Sequence, residues 1–238
     1  MSAIIASARW LDHPHLAGSV ARLEQSPTAS ALLDELRRRP TRLAFDTPPA
    51  PGSPPRDPDG FVASYHPATG TIRMPWQVAH PAPDAPFSDD EIALTFAHEG
   101  VHRLQDAPRG RLLVRNLVTG PIAAAFAGAR EVATSRSAGE GAGAAFLRGA
   151  DRSLVRVEID AYLTEGRIAR ELGIDASATP ALNERGELVD AETMFEFVRP
   201  RYATSSRATA AAGLTLTGAV TAGTAAQGVS LVQQSREQ

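Results

Sequence analysis

The pentapeptide His98-Glu99-Gly100-Val101-His102 constrains this chain more than any other feature, because its chemistry requires the segment to be one α-helix. Residues four apart stack on one helical face. His98 and His102 can therefore offer two nitrogens to one tetrahedral zinc ion, while Glu99 lies beside them to take a proton from metal-bound water. Zinc lowers the pKa of such a water from about 15.7 to about 7, so the nucleophile exists at neutral pH. The flanking residues predict the helix. Ser88 is an N-cap with Glu91 placed to complete a capping box, Phe87 can pack on Ile92 as a hydrophobic staple, and Asp89 and Asp90 suit the positive end of the dipole. Ile92, Phe96, Gly100 and Leu104 form one row and Ala93, Ala97 and Val101 the next, which marks the core face. Thr95, His98, His102 and Asp106 follow one another on another side, which turns the imidazoles toward a cleft. Gly100 lowers helix propensity by about 1 kcal/mol relative to Ala. Its small size predicts a close crossing by another element.

A chain of 238 residues can bury one sizeable core, or one domain with appendages. A net charge of -3 supplies no field for nucleic acid or an anionic membrane, so no nucleic-acid partner is expected. All the basic side chains other than histidine are arginines. Cysteine is absent, which excludes disulfides and thiolate ligands. The opening MSAIIASARWLDHPH lacks a basic start followed by a long apolar run, so no standard secretory signal is visible. The expectation is a cytoplasmic protein or one exported by a signal-independent route, as a bacterial effector would be.

Thr28 to Arg39 reads as a helix with Ala29, Leu32, Leu33 and Leu36 on one side and Pro40 stopping it, and Thr41 to Phe45 as a short strand. Asp46 to Gly60 carries six prolines and reads as a loop. Phe61 to Tyr65 and Thr71 to Met74, around Pro67-Ala68-Thr69-Gly70, predict a hairpin, and Trp76 to Pro86 a loop into the motif helix. Pro121 to Val132 reads as a small-residue helix, Ser135 to Gly143 as a Gly- and Ser-rich connection, and Asp190 to Val198 as a short amphipathic helix.

Two histidines do not complete a catalytic zinc site, which usually has a third protein ligand and a water position. His102 to Gly110 reads HRLQDAPRG, without a third histidine at the spacing of HExxHxxGxxH, so an acid must come from elsewhere. Arg152 to Leu172 is the strongest downstream helix and carries Glu158, Asp160, Glu165 and Glu171. In Glu158-Ile159-Asp160-Ala161-Tyr162, together with the motif, the chain resembles the gluzincins. In those metallopeptidases a glutamate from a second helix joins HExxH, commonly in an ExxxD or ExxA setting. Glu158 to Ala161 fits the second form, and Tyr162 stands where the first has aspartate. The resemblance implies Zn2+ held by His98, His102 and Glu158; the sequence leaves Glu165, Glu131 or another acid as alternative third ligands. It implies Asp106 or Asp160 as the carboxylate orienting a ligand imidazole, Glu99 as general base, and Tyr162 or Tyr202 as a transition-state donor. It also implies a sheet before the motif helix whose edge strand pairs with an extended substrate.

The fold expected is α+β and zincin-like, mainly helical with a small antiparallel or mixed sheet before the active-site helix. Residues 1–203 would form this domain and 204–238 an Ala/Gly/Thr-rich tail. From Ala208 to Val229 no side chain is charged. A packed soluble tail is favoured there over homo-oligomer pairing or membrane association, because large hydrophobes are scarce. The function expected is hydrolysis of peptide bonds in a protein or peptide substrate. Three alternatives stand beside it: a zinc amide hydrolase acting on a modified or cell-wall peptide, a non-enzymatic toxin or effector component acting through the tail, and a structural protein whose histidines only pack.

Overall fold

Ser26 starts the first long helix by accepting a hydrogen bond from the Ala29 N–H, and Pro27 pre-sets the first helical position. The helix that follows, α2 (Pro27–Arg37), buries Ala29, Leu32, Leu33 and Leu36, the stripe expected from their spacing. Each such leucine contributes roughly 1.5–3 kcal/mol by leaving water. These elements come from a computed structural model that describes residues 4–6, 13–48, 63–67, 69–81, 87–106, 126–131 and 142–201. A 3-10 turn (Pro14–Leu16) and α1 (Ala17–Leu23) precede α2.

Four strands, β1 (Ile4–Ala6), β2 (Arg42–Phe45), β3 (Ser64–His66) and β4 (Thr71–Met74), form a sheet in the order β1-β2-β4-β3. β2 and β4 are parallel, with Leu43 opposite Ile72, and the outer strands are antiparallel to their neighbours. The sheet is therefore mixed. The hairpin forms as expected, with Tyr65 opposite Ile72, and leaves β3 at an edge. β1 was not legible in the sequence, because three residues held by backbone pairing carry no periodicity. The expected loop at Trp76 contains a short helix, α3 (Trp76–Ala79), whose Val78 is buried.

The motif helix α4 (Asp89–Gln105) has the complete capping box between Ser88 and Glu91. It packs against α1, α2, β3 and β4, with Ile92, Ala93, Phe96 and Ala97 in the core. A Cβ on Gly100 would lie 2.9 Å from Leu36 Cδ1, so the close crossing is made by α2. The mixed sheet and the helix on which it packs match the zincin-like α+β arrangement.

The chain divides into two compact units, residues 1–113 with 157–197 and residues 114–156 with 198–238. Helix α5 (Ala142–Leu172) begins well before Arg152, in Ala-rich sequence that favours helix. In the first unit its end is tied to α2: Glu171 accepts hydrogen bonds from the Ser26 and Thr28 hydroxyls and the Thr28 N–H. Arg22 of α1 donates to the Leu172 carbonyl at 2.7 Å. The chain then turns through residues 173–190 into the expected amphipathic helix, here 191–201, with Met194 and Phe195 fully buried. In the second unit the short helix 126–131 ion-pairs with α5 through Glu131, 3.3 Å from Arg148 and 3.8 Å from Arg152.

Among the described residues no helix is long and apolar enough to cross a membrane. Residues 49–60 of the proline-rich loop, Leu112 to Val118, residues 121–125, residues 135–141, Tyr202 and the tail 204–238 lie outside the described residues. Gly166 on α5 is closely packed: a Cβ there would meet Ala181 Cβ at 2.6 Å and Leu188 Cδ2 at 2.9 Å. Gly166→Ala is expected to destabilise the protein by about 1–3 kcal/mol despite the better helix propensity of alanine. Thermal denaturation should show the midpoint falling by at least about 2 °C.

Candidate metal centre

Helix periodicity brings His98 and His102 onto one face of α4, and α5 lays Glu158 against them. The two Nε2 atoms are 3.3 Å apart, and Glu158 Oε2 lies 3.5 Å from His98 Nε2 and 3.3 Å from His102 Nε2. The three atoms form a nearly equilateral triangle. Ligands bound tetrahedrally to zinc at about 2.0–2.1 Å are separated by about 3.3–3.4 Å, so the triangle has the size of one tetrahedral face. This donor set fits zinc and leaves a fourth position for water. Among the described residues this is the cluster of histidines and acids that could hold a metal ion.

The outer nitrogens of both rings are already used. His98 Nδ1 donates to Glu165 Oε2 at 2.9 Å. Gln105 Nε2 donates to the Val157 carbonyl, which turns its Oε1 toward His102 Nδ1 at 3.0 Å. Each neutral ring therefore presents an Nε2 lone pair to the triangle. Three acceptors facing one another demand a cation between them.

In the metal-free protein a proton supplies that charge. Burial disfavours the His98 imidazolium, but Glu158 and Glu165 outweigh it and raise its pKa to about 10. Burial also opposes ionisation of Glu158, yet hydrogen bonds from His102 and His98 hold its carboxyl far below the ordinary range. Glu99, 8 % exposed, behaves differently: burial pushes its pKa up, only partly offset by His102 and His98 and by the Tyr65 backbone N–H. A buried carboxylate with a raised pKa beside a cation site is placed to take and return a proton.

Not every expected residue lies where the sequence suggested. Glu165, an alternative third ligand, instead orients His98 from behind, and Glu131 is engaged by Arg148 and Arg152. Asp106 and Asp160 do not orient a ligand imidazole, because Glu165 and Gln105 hold the two Nδ1 positions. Asp106 accepts from the Tyr65 hydroxyl at 2.7 Å, and Asp160 is exposed. Tyr162 packs edge-on to His98, with ring centroids 4.5 Å apart, and touches Phe197 at 5.8 Å. Two of the missed roles carried a signal. Glu165 lies two turns after Glu158, and Gln105 is three residues after His102, both spacings that share a helix face. Tyr65 carried none, since its neighbours are distant in sequence.

No protein-family model, curated protein or solved structure matches the chain.

The pKa shifts fix the sign of the pH dependence. A raised His98 pKa contributes stability that is complete below 6.5 and disappears as pH rises through about 10. A depressed Glu158 pKa contributes stability present above 4.5 and lost on acidification below it. The metal-free protein should melt highest between pH 4.5 and 6.5 in chelator, and bound zinc should remove the decline on the alkaline side by replacing the proton. Glu165→Gln is expected to weaken zinc binding about 10–100-fold, as measured by competition with a chromophoric chelator.

Proposed function

We propose that the protein is a zinc-dependent peptidase of the HExxH kind, in which His98, His102 and Glu158 hold the metal and Glu99 is the general base. The observation that carries this reading is the triangle of three inward-facing donors, 3.3–3.5 Å on a side, with the buried Glu99 carboxylate next to it in sequence. Zinc bound there supplies a Lewis acid that polarises a scissile carbonyl and lowers the pKa of the attacking water to about 7.

The chain's own residues do the rest. Glu99 accepts the proton of the attacking water and returns it to the leaving amine. Its raised pKa makes that return easier than it would be for an exposed carboxylate. Glu165 and Gln105 fix the two imidazoles so that their Nε2 atoms remain ligands. Tyr162, on the Glu158 helix and against His98, is the donor this reading offers to the developing oxyanion. The substrate is an extended peptide. Among the described residues β3 pairs only with β4, and it lies along α4, so its other edge would offer backbone groups to a peptide strand.

The first test is zinc per chain by elemental mass spectrometry after removal of loosely held metal. The wild type should hold about one zinc by this donor set, and Glu158→Gln and His102→Ala should lose most of it. Absence of zinc from folded, zinc-supplied wild type would falsify the reading. Glu99→Gln is expected to keep zinc but lower peptide turnover about 10²–10⁴-fold. Activity should fall on acidification through a pKa above 4.5, since Glu99 must be ionised to act. Tyr162→Phe should lower kcat at least about 10-fold with zinc content unchanged, and an unchanged kcat would return Tyr162 to a packing role.

A further inference from the structure

We propose that Tyr65 is a positioning residue: its hydroxyl ties the open edge strand β3 to Asp106 at the end of the motif helix and thereby holds that strand in place beside Glu99. What this does for catalysis rests on the peptidase reading; the tie itself does not.

β3 is three residues long, has Ser64 and His66 exposed, and is paired along one edge. A strand so short is weakly held by its ladder alone. Tyr65 adds a second attachment. Its hydroxyl donates to Asp106 Oδ2 at 2.7 Å, and Asp106 is fully buried at the C-cap of α4. A hydrogen bond to a buried carboxylate is stronger than one between neutral groups. Burial and the Asp106 bond raise the phenol's pKa, so the hydroxyl remains a donor at every physiological pH.

The carboxylate has a counter-charge nearby. Arg103, one turn before Asp106 and 2 % exposed, acts electrostatically on the same phenol. Its Nη2 donates to the Pro40 carbonyl just before β2, at 3.4 Å, while its Nε and Nη1 find no hydrogen-bond partner among the described residues. Those two buried donors leave the guanidinium charge only partly neutralised beside the Tyr65–Asp106 pair.

At its other end Tyr65 meets the proposed base. β3 packs along α4, and the Tyr65 backbone N–H is on the Glu99 side of that contact, where it favours the ionised carboxylate. Sliding or lifting the strand would break the Tyr65–Asp106 bond and shift the strand relative to Glu99. The same strand supplies the edge on which an extended substrate would lie, so the tie fixes the substrate's distance from Glu99.

The test compares wild type with Tyr65→Phe, which keeps the ring and removes the hydroxyl. Amide hydrogen exchange in residues 64–66 should quicken while that of α4 stays as in wild type, and zinc content should not change. With a quenched fluorogenic peptide long enough to pair with β3, KM should rise about tenfold, the loss of one net hydrogen bond, while kcat changes less than about threefold. Unchanged exchange in folded Tyr65→Phe overturns the tie. Unchanged KM with a lowered kcat overturns the positioning role. Should Tyr65→Phe fail to fold, Asp106→Asn keeps the shape and a neutral acceptor, and a smaller shift of the same kind is expected. A wild type that neither binds zinc nor cleaves peptide defeats the peptidase reading, and the exchange comparison still decides whether Tyr65 holds the strand.

Discussion

Two imidazole nitrogens and a carboxylate oxygen held 3.3–3.5 Å apart in a buried site are an arrangement that the surrounding protein has to impose. Without a positive charge between them their lone pairs oppose one another, and desolvation makes the opposition stronger. The site therefore does not assemble itself from α4 and α5. It is assembled by contacts elsewhere along those helices. Glu171 is bound by the Ser26 and Thr28 groups at the start of α2, Arg22 holds the Leu172 carbonyl, and α2 crosses α4 at Gly100, where a Cβ would press on Leu36 Cδ1. Hydrophobic burial and caps at a distance thus maintain a local electrostatic demand that only a cation satisfies.

The same demand explains the unequal behaviour of the acids on these helices. Glu158 faces two imidazoles and is held ionised, whereas Glu99 is buried with less compensation and is pushed toward its protonated form. Glu165 stands behind His98 rather than in the triangle, so it sets ring orientation and basicity without occupying a ligand position. Three glutamates of one chemical type acquire three roles because their partners differ. That division is what the proposed hydrolysis needs: one acid to bind, one to orient and one to move a proton.

Much of α4 was legible because its signals are local. The capping box, the apolar rows and the tight crossing at Gly100 all follow from spacing along one helix, and all are present. The hairpin was legible for the same reason. β1 was not, since backbone pairing with β2 leaves no mark in three residues, and neither was the start of α5, because Ala142 and Gly143 sit at the end of a Gly- and Ser-rich stretch that reads as a connection. The orienting partner was not legible either: Asp106, one turn beyond His102, is held instead by Tyr65, a residue from the sheet.

The sequence by itself determined that one helix carries two imidazoles and a carboxylate on the surface it presents toward a site, because the period of a helix depends on nothing beyond the chain's own backbone. It also favoured an acid on a second amphipathic helix as the missing donor, with Glu131 as an alternative elsewhere. Which acid completes the triangle, which ones stand behind the rings, and that a tyrosine from an edge strand reaches the end of the motif helix were decided only by the tertiary structure. Those relations depend on how separate helices and strands pack, and packing is set by the summed burial of residues such as Leu33, Leu36, Phe96 and Ile168, far from the groups whose positions it fixes.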